Sequence, residues 1–273
     1  MEQKEVKIIV ATHKQCDMPK DQMYLPLHVG AHGKIDANGA PLDFGFVKDN
    51  TGDNISEKNY CLGTQTGLYW MWKNLDADYL GLVHYRRFFT GKTVDRKDML
   101  SNVLTYEQLQ PMLNQYKVFV PKKRHYYIES IYSHYAHTTD GSHLDLTREI
   151  ISQSSPEYIV AFDRVMNRTS AHMFNMMILK KELLNDYCSW LFNILFKLET
   201  GIDQTKMTAF EKRYGGRISE RLFNVWLEYN LENGTIQKHE IKELPYAESV
   251  NWSKKVRGFL KAKFFNKKYS ASF

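Results

Sequence analysis

The chain has little cysteine: only Cys16, Cys61 and Cys188 occur in 273 residues. They are odd in number, widely spaced and form no C-x-x-C pair. That excludes a disulfide framework or a cysteine-based zinc module and fits reduced thiols buried as small hydrophobes. No apolar run approaches the roughly 20 residues needed to span a bilayer. Met1–Lys7 carries neither an apolar signal region nor a small-residue cleavage site, so the expected location is the cytoplasm. Neither an H-E-x-x-H pattern nor a recognised RNA-binding signature is present. Acidic residues are missing from Lys254 to Phe273, where seven basic residues stand, and taking this +7 from the formal +6 leaves −1 for the body. Basicity is therefore a property of the tail, which argues against a nucleic-acid-binding core.

What is present is globular: 43% hydrophobic and 14% aromatic residues exclude disorder, and the length suffices for a sizeable core. Tyr79–Val83 is a short apolar run suited to a strand covered on both faces, and it leads straight into His84, Tyr85, Arg86 and Arg87. Ligands of open α/β sheets bind beyond the carboxyl ends of the strands. Two adjacent guanidiniums there suit a diphosphate through paired, charge-assisted hydrogen bonds, or they are solvated surface charges. Val6–Ala11 reads as a first strand that opens into Thr12, His13 and Lys14, where the lysine meets a phosphate or solvent.

Residues 16–59 are irregular, with loops and short strands. Asp53 accepts hydrogen bonds from a ribose or base, or holds its turn, and Ser56 is an N-cap with Asn59 three residues on. Cys61, Gln65, Leu68, Trp72 and Leu75 mark one face of the following helix, so Trp70 and Trp72 read as core rather than as a sugar platform. Thr93–Gln115 reads as a lid or helical insertion with a helix start at Thr105, and Tyr116–Pro121 as a further strand. After it, Lys122 opens the most basic and aromatic segment of the body. Its His134 and His137 stand three apart, a metal-ligand spacing that serves equally well for hydrogen bonds to a polar ligand, and Asp140, His143 and Asp145 follow. Tyr158–Val165 is expected helical. Met173–Leu179 is expected as a buried strand in which His172 and Asn175 need partners. Lys181–Glu199 is a strong helix. Gly215–Gly216 reads as a turn feeding another helix, capped by Ser219, with Glu220 and Arg221 in its first turn.

Six blocks in order carry a resemblance: Asp53–Asn59, Leu68–Leu75, Tyr79–Phe88, His172–Ile178, Tyr187–Phe192 and Ser219–Leu227. Together they resemble a capsular and exopolysaccharide glycosyltransferase family, long catalogued only as a domain of unknown function, that includes galactofuranosyltransferases. The likeness runs to about Tyr246. It implies a GT-A-like, Rossmann-type α/β fold with a mixed sheet flanked by helices over residues 1–250, a UDP-sugar donor, and a glycan or lipid-linked glycan acceptor. Where many GT-A enzymes carry a metal-binding Asp-x-Asp, this chain has His84-Tyr-Arg-Arg87, so no metal or other cofactor is expected. Cations placed there offset the charge that develops on a departing diphosphate.

The donor is thus assigned to Thr12, His13, Lys14, Asp53, Asn59, His84, Tyr85, Arg86, Arg87 and Lys122, with Asp53 at the nucleoside. Glu220 is the first candidate for general base, ahead of Asp140 and His84. His134, His137, His172, Asn175 and Arg221 are assigned to sugar or acceptor. In the basic tail, 251–273, Val256, Phe259, Leu260 and Phe264 share one helical side flanked by lysines, the pattern of an in-plane helix on an anionic membrane surface. That places the protein on the inner face of the cell membrane. A noncatalytic carbohydrate- or RNA-binding protein is the alternative.

Overall fold

The computed structural model describes residues 3–91 and 99–248. The tail expected over 251–273, and the first part of the insertion expected over Thr93–Gln115, lie outside the described residues. In chain order the elements are β1 (Val6–Thr12), β2 (Tyr24–His28), β3 (Val47–Lys48), α1 (Asn59–Leu62), α2 (Gln65–Asn74), β4 (Tyr79–His84), β5 (Arg87–Phe89), α3 (Tyr106–Leu109), β6 (Val118–Pro121), β7 (Arg124–His125), α4 (Ile131–Thr138), α5 (Ser142–Ser154), α6 (Ile159–Asn167), β8 (Ser170–Ala171), β9 (Met177–Lys180), α7 (Lys181–Gly201), α8 (Tyr214–Glu232), β10 (Ile241–Leu244) and β11 (Tyr246–Glu248). They fall into two compact units. The first is drawn from Met1–Lys122, Asn175–Ser189 and Gln237–Ser249, and the second from Lys123–Phe174 and Trp190–Ile236.

The strands of the first unit make one nine-stranded sheet in the order β10-β6-β9-β4-β1-β2-β3, with β5 bonded to β4 and β11 to β5. β1 lies parallel to both β2 and β4, whereas β9 runs antiparallel between β4 and β6. The carboxyl ends of β1, β2, β4 and β6 therefore share one edge with the amino end of β9. Ile8, Ile9, Val10, Leu82 and Val83 are all 0% exposed, which decides that both faces of the central strands are covered; such strands need continuous rather than alternating apolar residues. α2 packs closely on this sheet because Gly67 has no side chain. A Cβ there would lie 2.8 Å from Val29 Cγ1 and 3.2 Å from Leu27 Cδ2.

Three local expectations are corrected. Ser56 does not cap one long helix: a 3-10 turn and α1 are separated from α2 by Gly63, whose φ of 58° breaks the helix. Ser56 Oγ instead bonds Asp49 and accepts from His32 N, and α2 buries Trp70 and Met71 while Trp72 is only half-buried. The strand expected over Met173–Leu179 starts only at Met177, since Phe174 and Asn175 take left-handed φ values of 79° and 53°. Asparagine tolerates that region; a phenylalanine there stores on the order of 1–3 kcal/mol of strain.

In the second unit β7 and β8 form a short antiparallel ladder, and helices α4, α5, α6 and α8 pack on one another. Ser130 caps α4, its Oγ accepting from Ser133 N at 3.0 Å. α6 packs against α8, and Phe162, Val165, Leu222 and Trp226 of the two helices are buried. The rhythm read over α7 holds throughout, since Leu184, Cys188, Leu191, Leu195 and Leu198 are all buried. α8 begins at Tyr214, earlier than expected. Gly215 and Gly216 thus lie inside its first turn, Ser219 bonds back to the Gly216 carbonyl instead of capping, and Glu220 and Arg221 fall in the second turn. Buried Tyr214 anchors the helix start that the glycines would otherwise leave loose.

Candidate active site

On the strand-end edge of the first unit, the loop after β1 meets the hairpin turn between β4 and β5. The parallel register sets Ala11 opposite His84, and Tyr85 N donates to Ala11 O at 3.2 Å. Buried Thr12 shapes the loop: its hydroxyl donates to Lys14 O at 2.8 Å and accepts from Lys14 N at 3.2 Å. Tyr85 is the centre of the cluster. The His13 ring stands edge-on to it at 5.3 Å, Lys14 Nζ lies 5.1 Å from its ring centre and the Arg86 guanidinium 5.3 Å away. Neither Lys14 nor Arg86 has an ion-pair partner among the described residues. Ring contacts hold each cation by about 0.5–1 kcal/mol. The two like charges repel, and an oxyanion bound beside them relieves that repulsion.

Arg87 departs from the expectation that it acts beside Arg86. As the first residue of β5 it stands opposite Glu248 of β11, and its Nε meets Glu248 Oε2 at 3.1 Å with the two side chains 16% and 7% exposed. Successive residues point to opposite sides of a strand, so the pair of arginines is split between a turn and a ladder. Asp53 also departs from its expected place at the nucleoside. Its carboxylate accepts from Tyr69 OH, and its backbone bonds the Asn74 side chain at the last turn of α2, the helix end that leads into the start of β4. That is the edge of the sheet away from Lys14 and Arg86. Asn59 braces the helix break, where its Nδ2 donates to Gly63 O and Thr66 Oγ1. Lys122 is exposed just beyond β6, and Asn175 is buried just ahead of β9, both on the strand-end edge.

Two residues on this edge carry no signal in the sequence. Asp49, fully buried, accepts from Gly30 N, Ala31 N, Ser56 Oγ and Thr66 Oγ1, and so ties the loop after β2 to the start of α2. Gly30 takes a φ of 68° there, and the Asn59 side chain fills the space a Cβ would need. His28, at the end of β2 opposite Thr12, is 2% exposed, and its Nδ1 has no hydrogen-bond partner among the described residues. Burial holds its pKa below the usual histidine value, against the pull of Asp49.

The second unit gathers a separate polar cluster. Buried Glu129 accepts from His134 Nδ1 at 3.1 Å and from His137 Nδ1 at 2.6 Å, so the two histidines expected on one helical face do share one, and it faces a carboxylate. Burial, then the charges of Arg221 and Arg124, push the His134 pKa down to about 4, with Glu129 opposing. The Arg124 guanidinium lies over the Tyr126 ring and that of Arg221 over Tyr135. Arg221 Nη1 donates to Arg217 O and stands 3.6 Å from Glu220 Oε2. Asn224 joins two of the assigned positions: its side chain accepts from His172 N and donates to His172 O and Glu220 O. Asp140 is exposed and takes both the amide and the hydroxyl of Ser142. Glu129 and Arg124 were missed, although the spacing of Glu129 ahead of two histidines one turn apart was a usable signal. Among the described residues no group of three or more His, Cys, Asp and Glu side chains is arranged to hold a metal ion.

Comparison with known proteins bears on the fold and the family. The chain is similar to the apo structure of the WbbM bifunctional glycosyltransferase, with a TM-score of 0.79 and 30% sequence identity over 90% of this chain and 46% of that one. It thus spans about half the length of the solved chain it matches. No curated protein matches the sequence. The mixed α/β sheet with its helices is therefore a glycosyltransferase-like fold, as the sequence blocks implied. Residues 7–231 match the model of the family described as "Domain of unknown function (DUF4422)", and a match over that much of the sequence shows that this chain belongs to it.

Proposed function

We propose that the chain is a glycosyltransferase that moves a sugar, galactofuranose or another hexose, from a UDP-sugar to a polysaccharide or lipid-linked oligosaccharide acceptor. The observation that carries this reading is the strand-end cluster, in which Lys14 and Arg86 crowd one tyrosine ring without a carboxylate to neutralise them. The likeness to a bifunctional glycosyltransferase at 30% identity supports the reaction class. Departure of UDP builds negative charge on its β-phosphate, and fixed cations placed there stabilise the transition state more than the ground state. Lys14 and Arg86 take that role, with Lys122 as an outer contact. Arg87 supports the hairpin through Glu248.

For inversion, a base must accept the proton of the acceptor hydroxyl as the sugar carbon is attacked. Glu220 is the first candidate, because its carboxylate is partly exposed and lies beside Arg221, which can orient it. Asp140 is engaged by Ser142, and His84 ends β4 half-buried. The residues at the strand ends do not fit a divalent metal: His84-Tyr-Arg-Arg87 brings cations where a metal would need oxygen ligands. A UDP-sugar screen by mass spectrometry, with and without chelator, tests the reading. We expect UDP release that chelator does not suppress and that falls about tenfold or more in Arg86→Gln or Lys14→Gln. No turnover with any donor, or full turnover in the double variant, would overturn it.

A further inference from the structure

The second unit contains a cavity of about 160 Å³, and its wall includes Asp140, His143, Lys206, Phe210, Glu211 and Arg217. Two acids face two bases in formal count, but the opposite charges are not paired with one another. Both acids already serve the backbone: Asp140 takes the amide and hydroxyl of Ser142, and Glu211 takes those of Thr208. The cations do not have such partners. Arg217 is fixed by one donation from Nη2 to Phe210 O at 2.8 Å and by lying 3.9 Å over the Phe210 ring, and it pairs with no carboxylate among the described residues. A guanidinium has five N–H donors in a planar fork, so several remain for a ligand. Lys206 makes no hydrogen bond or ion pair among the described residues.

We propose that this cavity is an oxyanion subsite for the acceptor, taking the carboxylate or phosphate of an acidic sugar. The inference rests on the glycosyltransferase reading and adds to it a substrate class. Size decides against the donor as occupant: pockets for whole small molecules run to about 300–1,000 Å³, so 160 Å³ holds one charged group or a single ring. Arg217 supplies the directional, forked contact. Lys206, on the exposed side, supplies a point charge that draws the anion in. Phe210 and Met207 give the apolar wall that strengthens both interactions by excluding water.

Calorimetric titration of the full chain at low salt tests the proposal, with glucuronate, inorganic phosphate and glucose as probes and UDP in a parallel arm. We expect both anions to bind and glucose not to. Arg217→Gln should weaken the anions about tenfold, and Lys206→Gln a few-fold, with UDP affinity unchanged in both. If Arg217→Gln does not fold, Lys206→Gln carries the test, because that side chain supports nothing. Failure of both anions to bind, equal glucuronate binding in the variants, or displacement of glucuronate by UDP would overturn the subsite. Failure of UDP to bind the wild-type chain would instead strike at the glycosyltransferase reading.

Discussion

Replacing Glu248 with glutamine removes the carboxylate that the Arg87 guanidinium meets across the ladder, and the consequence separates the two arginines that stand together in the sequence. Arg87 and Glu248 face each other across β5 and β11 at 3.1 Å, with side-chain exposures of 16% and 7%. A charge-assisted hydrogen bond contributes about 1.5–3 kcal/mol net. Removing one partner of a fully buried pair costs about 3–5 kcal/mol, and the exposure of Arg87 brings the expected loss for Glu248→Gln to about 2 kcal/mol. β11 is only three residues long, so its hydrogen bonds to β5 should exchange faster in the variant. Urea unfolding of Arg87→Gln, Glu248→Gln and the double variant gives the coupling, expected at about 1–2 kcal/mol. UDP titration completes the comparison. Arg86→Gln should lose nucleotide affinity with little change in stability, whereas Arg87→Gln should lose stability first. A coupling below about 0.5 kcal/mol, together with equal loss of UDP binding in the two arginine variants, would refute the assignment of Arg87 to the ladder.

Stability should also depend on pH through His134. Its pKa is pushed down to about 4 when folded, against 6.5 when unfolded, so the unfolded chain takes up the proton first. The contribution is complete above pH 6.5 and is lost as pH falls toward 4, a change of about 3 kcal/mol. Urea midpoints measured across that window should fall with pH in the wild type and fall less in His134→Gln. Gly67→Ala gains about 1 kcal/mol of helix propensity but drives a Cβ to 2.8 Å from Val29 Cγ1, an overlap costing about 1–3 kcal/mol. A net loss of stability is expected, and a gain would show that α2 does not sit so close to the sheet. Finally, flotation with anionic liposomes at low salt should retain the full chain better than one ending at Asn251; equal retention would reject the tail as an anchor.

Much of this was legible in the sequence, and the reasons are physical. Strands β1 and β4 announced themselves because strands covered on both faces cannot alternate, and Ile8 to Val10 and Leu82 to Val83 are apolar without a break. α7 was legible because its buried stripe keeps one period for its full length. The break at Gly63 was not, since the spacing of Cys61, Gln65 and Leu68 runs on across it and a single positive φ leaves no mark on periodicity. The cluster around Tyr85 could be anticipated, as the ends of neighbouring parallel strands lie together. Glu248 stands 161 residues from Arg87, and no local pattern joins them. Asp49 was hidden for the same reason, because its four donors come from three separate segments.

The two anion sites argued for follow from one comparison, between cations that have a carboxylate and cations that do not. The body of the chain carries a formal charge near −1, so its carboxylates nearly match its cations in number. Local neutrality is common in the fold: Arg148 meets Asp163, Arg168 meets Glu228, Lys117 meets Glu240 and Lys181 meets Asp76. An unpaired lysine on the surface says nothing more, since water solvates it at no cost. Lys14 and Arg86 differ because their charges are crowded on one ring at the ends of adjacent strands. Arg217 differs because a ring and a carbonyl fix its orientation toward a cavity whose acids are already engaged. A fold that gives Arg87, Arg148 and Arg168 their carboxylates and leaves these cations in place keeps an electrostatic cost that a bound anion removes. The two sites should therefore respond to ligand in the same sense, with UDP and an acidic sugar each raising the unfolding midpoint of the chain. If either ligand left the midpoint unchanged at concentrations well above its affinity, the cations at its site would be ordinary surface charges.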